Sequence, residues 1–280
     1  MRIILSMFKI AVLKMGNLGV SPLFEFLFDE RAERENILFR VFGSGSKMVG
    51  PHLEDNISDL VKWPHDLTIL ITPNATLSHC VTVIEKLRST GSPLILISDS
   101  PSLKIIEDLK NKGVGYIIIT ADPMIGARRE FLDPTEMTVF NSNIIDVLAG
   151  VGVFRIIVKI IDGVIESLDK KSLNLPYIVI DSSFLLGNLP FNNSYSNVKA
   201  VAAFKMAELV GKINYEACFK IHDWQHYTLL TAAAHEILSS AAKLVEEARE
   251  IEKNSDTLLR EPHDVNGKLL KKLKLLEKPK

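Results

Sequence analysis

Five apolar runs rich in β-branched residues divide the first 120 residues at nearly even intervals: Phe8 to Leu13, Ile37 to Phe42, Leu67 to Thr72, Leu94 to Ser98 and Tyr116 to Thr120. They lack the polar alternation of a strand with one wet face, so strands covered on both faces are expected. Each run is separated from the next by a segment of helix length, which is what parallel strands need for a crossover. Right-handed crossovers then give an α/β fold with a doubly wound, mainly parallel sheet. The punctuation agrees with this. Ser21 before Pro22 reads as a helix N-cap with proline at the first helical position, and Gly91 and Gly113 fall where a helix end wants a left-handed residue.

After Asp133-Pro134 the period lengthens. Leu148, Val151, Phe154, Ile157, Val158, Ile161 and Ile165 follow steps of three and four, the stripe of a helix lying on a core. A short strand is predicted at Tyr177 to Asp181, then a polar loop around Gly187 to Asn197, a helix from Val198 to about Val210 and a strand at Tyr215 to Ile221. A long helix from about Leu229 to Lys253 follows. The expected organisation is an α/β sheet domain over residues 1–130, and a helical bundle region with a small β segment over 131–280.

Composition removes several function classes. Lys plus Arg number 33 against 34 for Asp plus Glu, a net charge of −1, so no field gathers nucleic acid or anionic lipid. No stretch approaches the roughly 20 apolar residues of a membrane span. Met1 to Leu13 is interrupted by Lys9 and lacks a small-residue cleavage site, so it reads as a first strand with a short extension rather than a secretion signal. The two cysteines, Cys80 and Cys218, are far apart and suit a reducing cytoplasm. The charge run Asp29 to Glu35 reads as a solvated helix end, and the Lys-rich end, Lys268 to Lys280, as partly frayed. His222-Asp223-Trp224-Gln225-His226 lacks a nearby third metal ligand, and His235-Glu236 lacks the second histidine of a zinc-protease helix.

In a doubly wound sheet the ligand crevice lies beyond the carboxyl ends of the strands. After the first strand stands Met15-Gly16-Asn17-Leu18-Gly19-Val20-Ser21, a glycine turn into a helix N-terminus that can face an anion. The alternative is that its glycines only permit a tight turn. It is a poor dinucleotide fingerprint, and the second strand leads to Gly43-Ser44-Gly45-Ser46-Lys47 where an NAD enzyme needs a carboxylate. The third strand leads to Pro73-Asn74-Ala75-Thr76. The fourth leads to Asp99-Ser100-Pro101, where Asp99 either bonds a ligand ring or caps the next helix. After the fifth, Arg128 and Arg129 can clamp a carboxylate or phosphate, or pair with neighbouring acids. Asn17, Leu18, Gly19, Ser21, Ser44, Ser46, Asn74, Asp99, Pro101, Arg128 and Arg129 are therefore the candidate binding residues. No nucleophile-and-base pair is visible, and no catalytic side chain is assigned.

At these residues the chain resembles the archaeal coenzyme F420-dependent methylenetetrahydromethanopterin dehydrogenases. The resemblance rests on Gly16-Asn17-Leu18-Gly19, Asp29-Glu30-Arg31-Ala32, Asp99 with Pro101, Leu103 and Lys104, and above all Gly126 to Pro134 with Glu136-Met137. Gly152-Val153-Phe154-Arg155, Ala234-His235-Glu236, Glu247 through His263, and Gly267-Lys268 continue it. It implies reversible hydride transfer between coenzyme F420 and the one-carbon unit of tetrahydromethanopterin, in methanogenesis or its reversal. It also implies a homo-oligomer, a hexamer in the family, with the binding cleft between the sheet domain and the helical region. The chain departs from the family pattern after the third strand, where a proline-rich loop is shortened to Pro73-Asn74-Ala75. It departs again at Ser102, where a glycine is expected, and at Thr120 to Pro123, where a lysine is lost. The alternative is a paralogue that binds a pterin or deazaflavin without turnover or with altered specificity.

Overall fold

The computed structural model describes residues 7–29, 36–170, 172–264 and 269–279. Glu30 to Glu35, Gly267 and Lys268, which figure in the sequence reading, lie outside those residues. The chain divides into two compact units, one holding residues 1–119 and 157–179, the other 120–156 and 180–280.

The first unit is built on six strands: β1 (Phe8–Lys14), β2 (Ile37–Gly43), β3 (Leu67–Ile71), β4 (Leu94–Ser98), β5 (Gly115–Ile119) and β6 (Tyr177–Ile180). Their order is β2-β1-β3-β4-β5-β6, with β1 to β5 paired in parallel, so the expected doubly wound α/β sheet is present. Helices α1 (Val20–Asp29), α2 (Pro51–Lys62), α3 (Ser78–Arg88) and α4 (Ile106–Asn111) form the connections, with a short 3-10 turn, Ser100–Ile105, before α4. Every residue of β3, β4 and β5 is buried. Leu13, Leu70, Leu96 and Ile118 cluster with Leu53, Ile57 and Leu60 of α2 and Val83, Ile84 and Leu87 of α3. The alternate residues Val12, Ile69, Ile95, Ile97 and Ile117 are buried too, and because successive side chains point to opposite faces, the second face is also covered. Only the edge strand β2 exposes alternate positions, Leu38 and Arg40 among them.

The structure corrects the sequence reading at two places in this unit. The strand at Tyr177 was expected in the helical domain, yet Tyr116 N donates to Pro176 O at 2.7 Å and β6 becomes the sixth strand of the main sheet. By contacts, residues 157–179 group with the sheet unit. The free edge of β5 accepts whichever apolar segment reaches it, and sequence distance does not say which. Ser21 does not cap α1. The helix begins one residue earlier, and Ser21 N donates to Leu18 O at 3.1 Å. Gly91 and Gly113 do adopt φ of 82° and 70° at the ends of their helices.

The second unit contains α5 (Pro134–Gly150), the start of α6 (Val153–Asp169), α7 (Ser182–Leu186), α8 (Ser194–Phe219) and α9 (Trp224–Asn254). A small antiparallel ladder joins β7 (Leu259–Arg260) to β8 (Leu273–Lys274). The helical period read from Pro134 to Ser167 is broken at Gly152, whose φ of 90° separates α5 from α6. The strand expected at Tyr215 to Ile221 is the last part of α8, because Val210, Asn214 and Ala217 continue the helical burial spacing. Packing against α9 overrides the local β propensity there. Four residues, 220–223, turn α8 back into α9, and buried alanines on both helices, Ala203, Ala207, Ala234 and Ala241, let them approach closely. No described helix is long and apolar enough to cross a membrane.

The far end of this helical pair is tied by one carboxylate. Glu252, fully buried near the end of α9, accepts from the backbone N–H of Asn193, the cap of α8, at 2.6 Å, and from the Thr257 hydroxyl. Glu252→Ala leaves the half-buried Asn193 N–H and the Thr257 hydroxyl without their carboxylate acceptor, and chemical denaturation should show a loss of about 1–3 kcal/mol. Glu252→Gln, which keeps one oxygen, should lose less.

Candidate functional site

Because β2, β1, β3 and β4 are parallel neighbours, their carboxyl ends bring Asn17 to Ser21, Ser44 and Ser46, Asn74, and Asp99 with Pro101 to one edge of the sheet. The strand order reverses between β1 and β3, the switch point where such sheets hold ligands. Gly16 sits at that point with φ of 90°, and a Cβ on it would lie 2.8 Å from Pro73 Cδ and 3.0 Å from Met48 Cγ. A glycine is required there because the three loops touch.

These side chains divide into those spent on their own loops and those with capacity to spare. The Asn74 carboxamide oxygen accepts from Thr76 N at 3.0 Å and from its hydroxyl at 2.6 Å, and Ser44 Oγ donates to Lys47 O at 2.7 Å. Asp99, 6% exposed, accepts from Ser100 N and Ser100 Oγ, capping the 3-10 turn in which Pro101 stands. Asn17, by contrast, is half-buried with no side-chain partner among the described residues, and Ser21 Oγ is buried with none. Leu18 and Gly19 are buried, and Ser46 is exposed.

A buried chain of hydroxyls that sequence reasoning missed ties the third loop to the fourth. Ala75 N donates to Ser102 Oγ at 2.8 Å, Ser102 Oγ and Ser98 Oγ are hydrogen-bonded at 2.7 Å, and Ser98 Oγ donates to Thr72 O. Each group in the chain is satisfied if Ser102 donates to Ser98. Ser102, one of the departures from the family pattern, is therefore built into the altered loop beside it. Nearby Cys80 is buried against Thr72, and burial pushes its thiol up to about 11, which keeps it protonated and inert.

Arg128 and Arg129 belong to the second unit, in the loop before α5. Asn214 of α8 donates to Met124 O at 2.9 Å, and a Cβ on Gly126 would lie 2.2 Å from Asn214 Oδ1. His235 of α9 bonds Gly126 O through Nε2 at 3.1 Å. Arg128 donates to Ile221 O at 2.9 Å and lies over the Tyr227 ring, 4.5 Å from its centre. Tyr227 in turn donates to Glu130, which raises the phenol's pKa and lowers the carboxyl's. Arg128 is thus largely occupied in holding the loop, while Arg129 is exposed. Asp223, singled out in the His-Asp-Trp-Gln-His run, caps α9 and accepts from His226 N.

Residues 8–280 match the family described as methylene-5,6,7,8-tetrahydromethanopterin dehydrogenase. The F420-dependent methylenetetrahydromethanopterin dehydrogenase of Methanothermobacter marburgensis is 44% identical to this chain, covering 97% of it and 99% of the relative. That of Archaeoglobus fulgidus is 46% identical, covering 97% and 98%. A solved structure of F420 dependent methylene-tetrahydromethanopterin dehydrogenase, in complex with methylene-tetrahydromethanopterin and coenzyme F420, superposes with a TM-score of 0.93 at 39% identity. It covers 98% of this chain and all of its own.

Two outcomes follow from the second-unit loop. Gly126→Ala should displace the segment, because the Asn214 side chain it meets is anchored to Met124 O, and the unfolding free energy should fall by about 1–3 kcal/mol. Adding Asn214→Ala should recover part of that loss. The second outcome concerns pH. Burial holds His235 below its ordinary pKa, against the opposing pull of the Gly126 carbonyl and of Glu136. As pH falls through about 6.5 the unfolded chain takes up a proton that the folded chain refuses. Stability is therefore full above that pH and declines below it, levelling off beneath the folded-state pKa. Thermal unfolding from pH 7.5 to 5 should show a smaller decline in His235→Gln than in the parent chain.

Proposed function

The chain belongs to the methylenetetrahydromethanopterin dehydrogenase family, and from that premise we propose that it transfers hydride reversibly between 5,10-methylenetetrahydromethanopterin and coenzyme F420. The observation that carries this reading is the superposition, over nearly the whole chain, on a relative holding both molecules.

The residues present suit such ligands. At the switch point Gly16 admits no side chain, and among the described residues neither the half-buried Asn17 side chain nor the buried Ser21 hydroxyl has a hydrogen-bond partner. Ser46 and Pro101 stand on the neighbouring strand ends. We assign Asn17, Leu18, Gly19, Ser21, Ser44, Ser46, Asn74, Asp99 and Pro101 to ligand binding on the first unit, and Arg128 and Arg129 on the second. Arg129, which is exposed, is the cation assigned to an anionic tail, while Arg128 shapes the loop.

When bound, coenzyme F420 supplies a ring that accepts or returns hydride, and the one-carbon unit is stabilised as a cation by its own two nitrogens. The protein's work is to bind, orient and shield. Holding two reactants in register can remove about 7–11 kcal/mol of barrier without a general base. The absence of any nucleophile-and-base pair among the assigned residues is consistent with that division of labour. As the family resemblance implies, the chain is read as a homo-oligomer of the cytoplasm. Tyr195, Val198, Leu209 and Phe219 remain exposed along α8, apolar area that a second copy would cover.

The test is direct. Reduced coenzyme should accumulate when the protein meets methylenetetrahydromethanopterin and oxidised F420, and no absorbance change at high enzyme concentration would overturn the reading. Arg129→Ala should raise the KM of the ligand whose anionic tail it holds about tenfold, roughly 1.4 kcal/mol, without moving the unfolding midpoint. Arg128→Ala should raise the same KM and also lower stability, since it removes the tie to Ile221.

A further inference from the structure

We propose that His235 is a positioning residue for this reaction, its Nε2–H fixing the Gly126 carbonyl and so setting the loop that carries Arg128 and Arg129. The inference rests on the assignment of that loop to ligand binding.

The chemistry of the contact decides the tautomer. A carbonyl oxygen only accepts, so Nε2 carries the proton and Nδ1 is left as an acceptor. Nδ1 is buried and has no hydrogen-bond partner. The nearest carboxylate oxygen, Glu136 Oε2, is 3.9 Å away and has no proton to offer when ionised. An imidazole in this place leaves one nitrogen desolvated and unsatisfied, a cost that a leucine or phenylalanine would not incur. What the apolar residues could not provide is the bond to Gly126 O. That bond is therefore the reason for a histidine here.

The ring is also held in one orientation. Phe140 of α5 lies 4.5 Å away between ring centres, and Phe131, at the far end of the same loop, meets it edge-on at 4.9 Å. His235 thus touches the loop on both sides of the arginine pair, by a hydrogen bond at Gly126 and by ring packing at Phe131. Asn214 supplies a second, independent tie two residues upstream, at Met124 O. With Met124, Gly126 and Arg128 all fixed, the backbone that presents Arg129 has little freedom. A binding group must be held within roughly half an ångström of its productive position to do its work.

Two substitutions separate the donor from the packing. His235→Phe keeps an aromatic ring in the cage and loses the N–H; His235→Gln places an amide N–H near the Nε2 position and loses the ring. Should His235→Phe not fold, His235→Leu takes its place. We expect the phenylalanine variant to raise the KM of the same ligand as Arg129→Ala, by about tenfold, with kcat within about twofold of the parent. The glutamine variant should stay within about threefold in both constants, and adding Arg129→Ala to His235→Phe should cost little more than either change alone. Amide hydrogen exchange over residues 124–130 should quicken in the phenylalanine variant and not in the glutamine one. Parent-like kinetics and exchange in His235→Phe, or equal damage in both variants, would overturn the proposal. Exchange reads the hold on the loop without any turnover, so a chain inactive in the coupled assay would sink the functional assignment and still leave the role of His235 decided.

Discussion

A parallel strand covered on both faces can offer side chains to a ligand only where it ends. In this protein that constraint governs the first unit. β3, β4 and β5 are buried along their whole length, and chemistry-bearing groups are confined to the loops that leave β1, β2, β3 and β4 at one edge. Loops are the mobile part of a fold, and a protein that must align two flat reactants cannot leave them loose. The polar groups at that edge serve largely to hold those loops still.

The means differ between the two units. In the first, short polar side chains close their own turns, as Asn74 does for Thr76 and Asp99 for Ser100, and the Ser98–Ser102 hydroxyl chain links one loop to the next. In the second, long-range contacts from the α8–α9 hairpin reach one loop: an amide from Asn214, the Ile221 carbonyl, an imidazole from His235 and an aromatic face from Tyr227. That hairpin is itself braced at its far end by the buried Glu252 carboxylate. In each unit, hydrogen bonds from rigid elements convert helix and sheet rigidity into loop position.

Hydride transfer between a ring that carries it and a carbon whose nitrogens stabilise the resulting cation asks for distance and angle more than for acid, base or nucleophile. Glycine turns, amides and hydroxyls at the strand ends of the first unit suit that demand. Such chemistry is served by loops held in place, without a general base.

The sequence alone determined the sheet, its parallel sense and the location of its binding edge, because unbroken apolar runs separated by helix-length segments admit few other arrangements. It also determined the family, since the blocks from Gly16 to His263 are specific in kind and in order. Only the tertiary structure decided that the run at Tyr177 completes the main sheet, that Tyr215 to Phe219 is helix, and that Ser21 lies inside a helix rather than capping it. Each of these depends on which surface a segment finds to bury itself against, which local propensity does not encode. The same holds for the arginine pair. Adjacent in sequence and alike in chemistry, they are told apart only by the Ile221 carbonyl and the Tyr227 ring that engage Arg128 from some ninety residues away in the chain and leave Arg129 exposed.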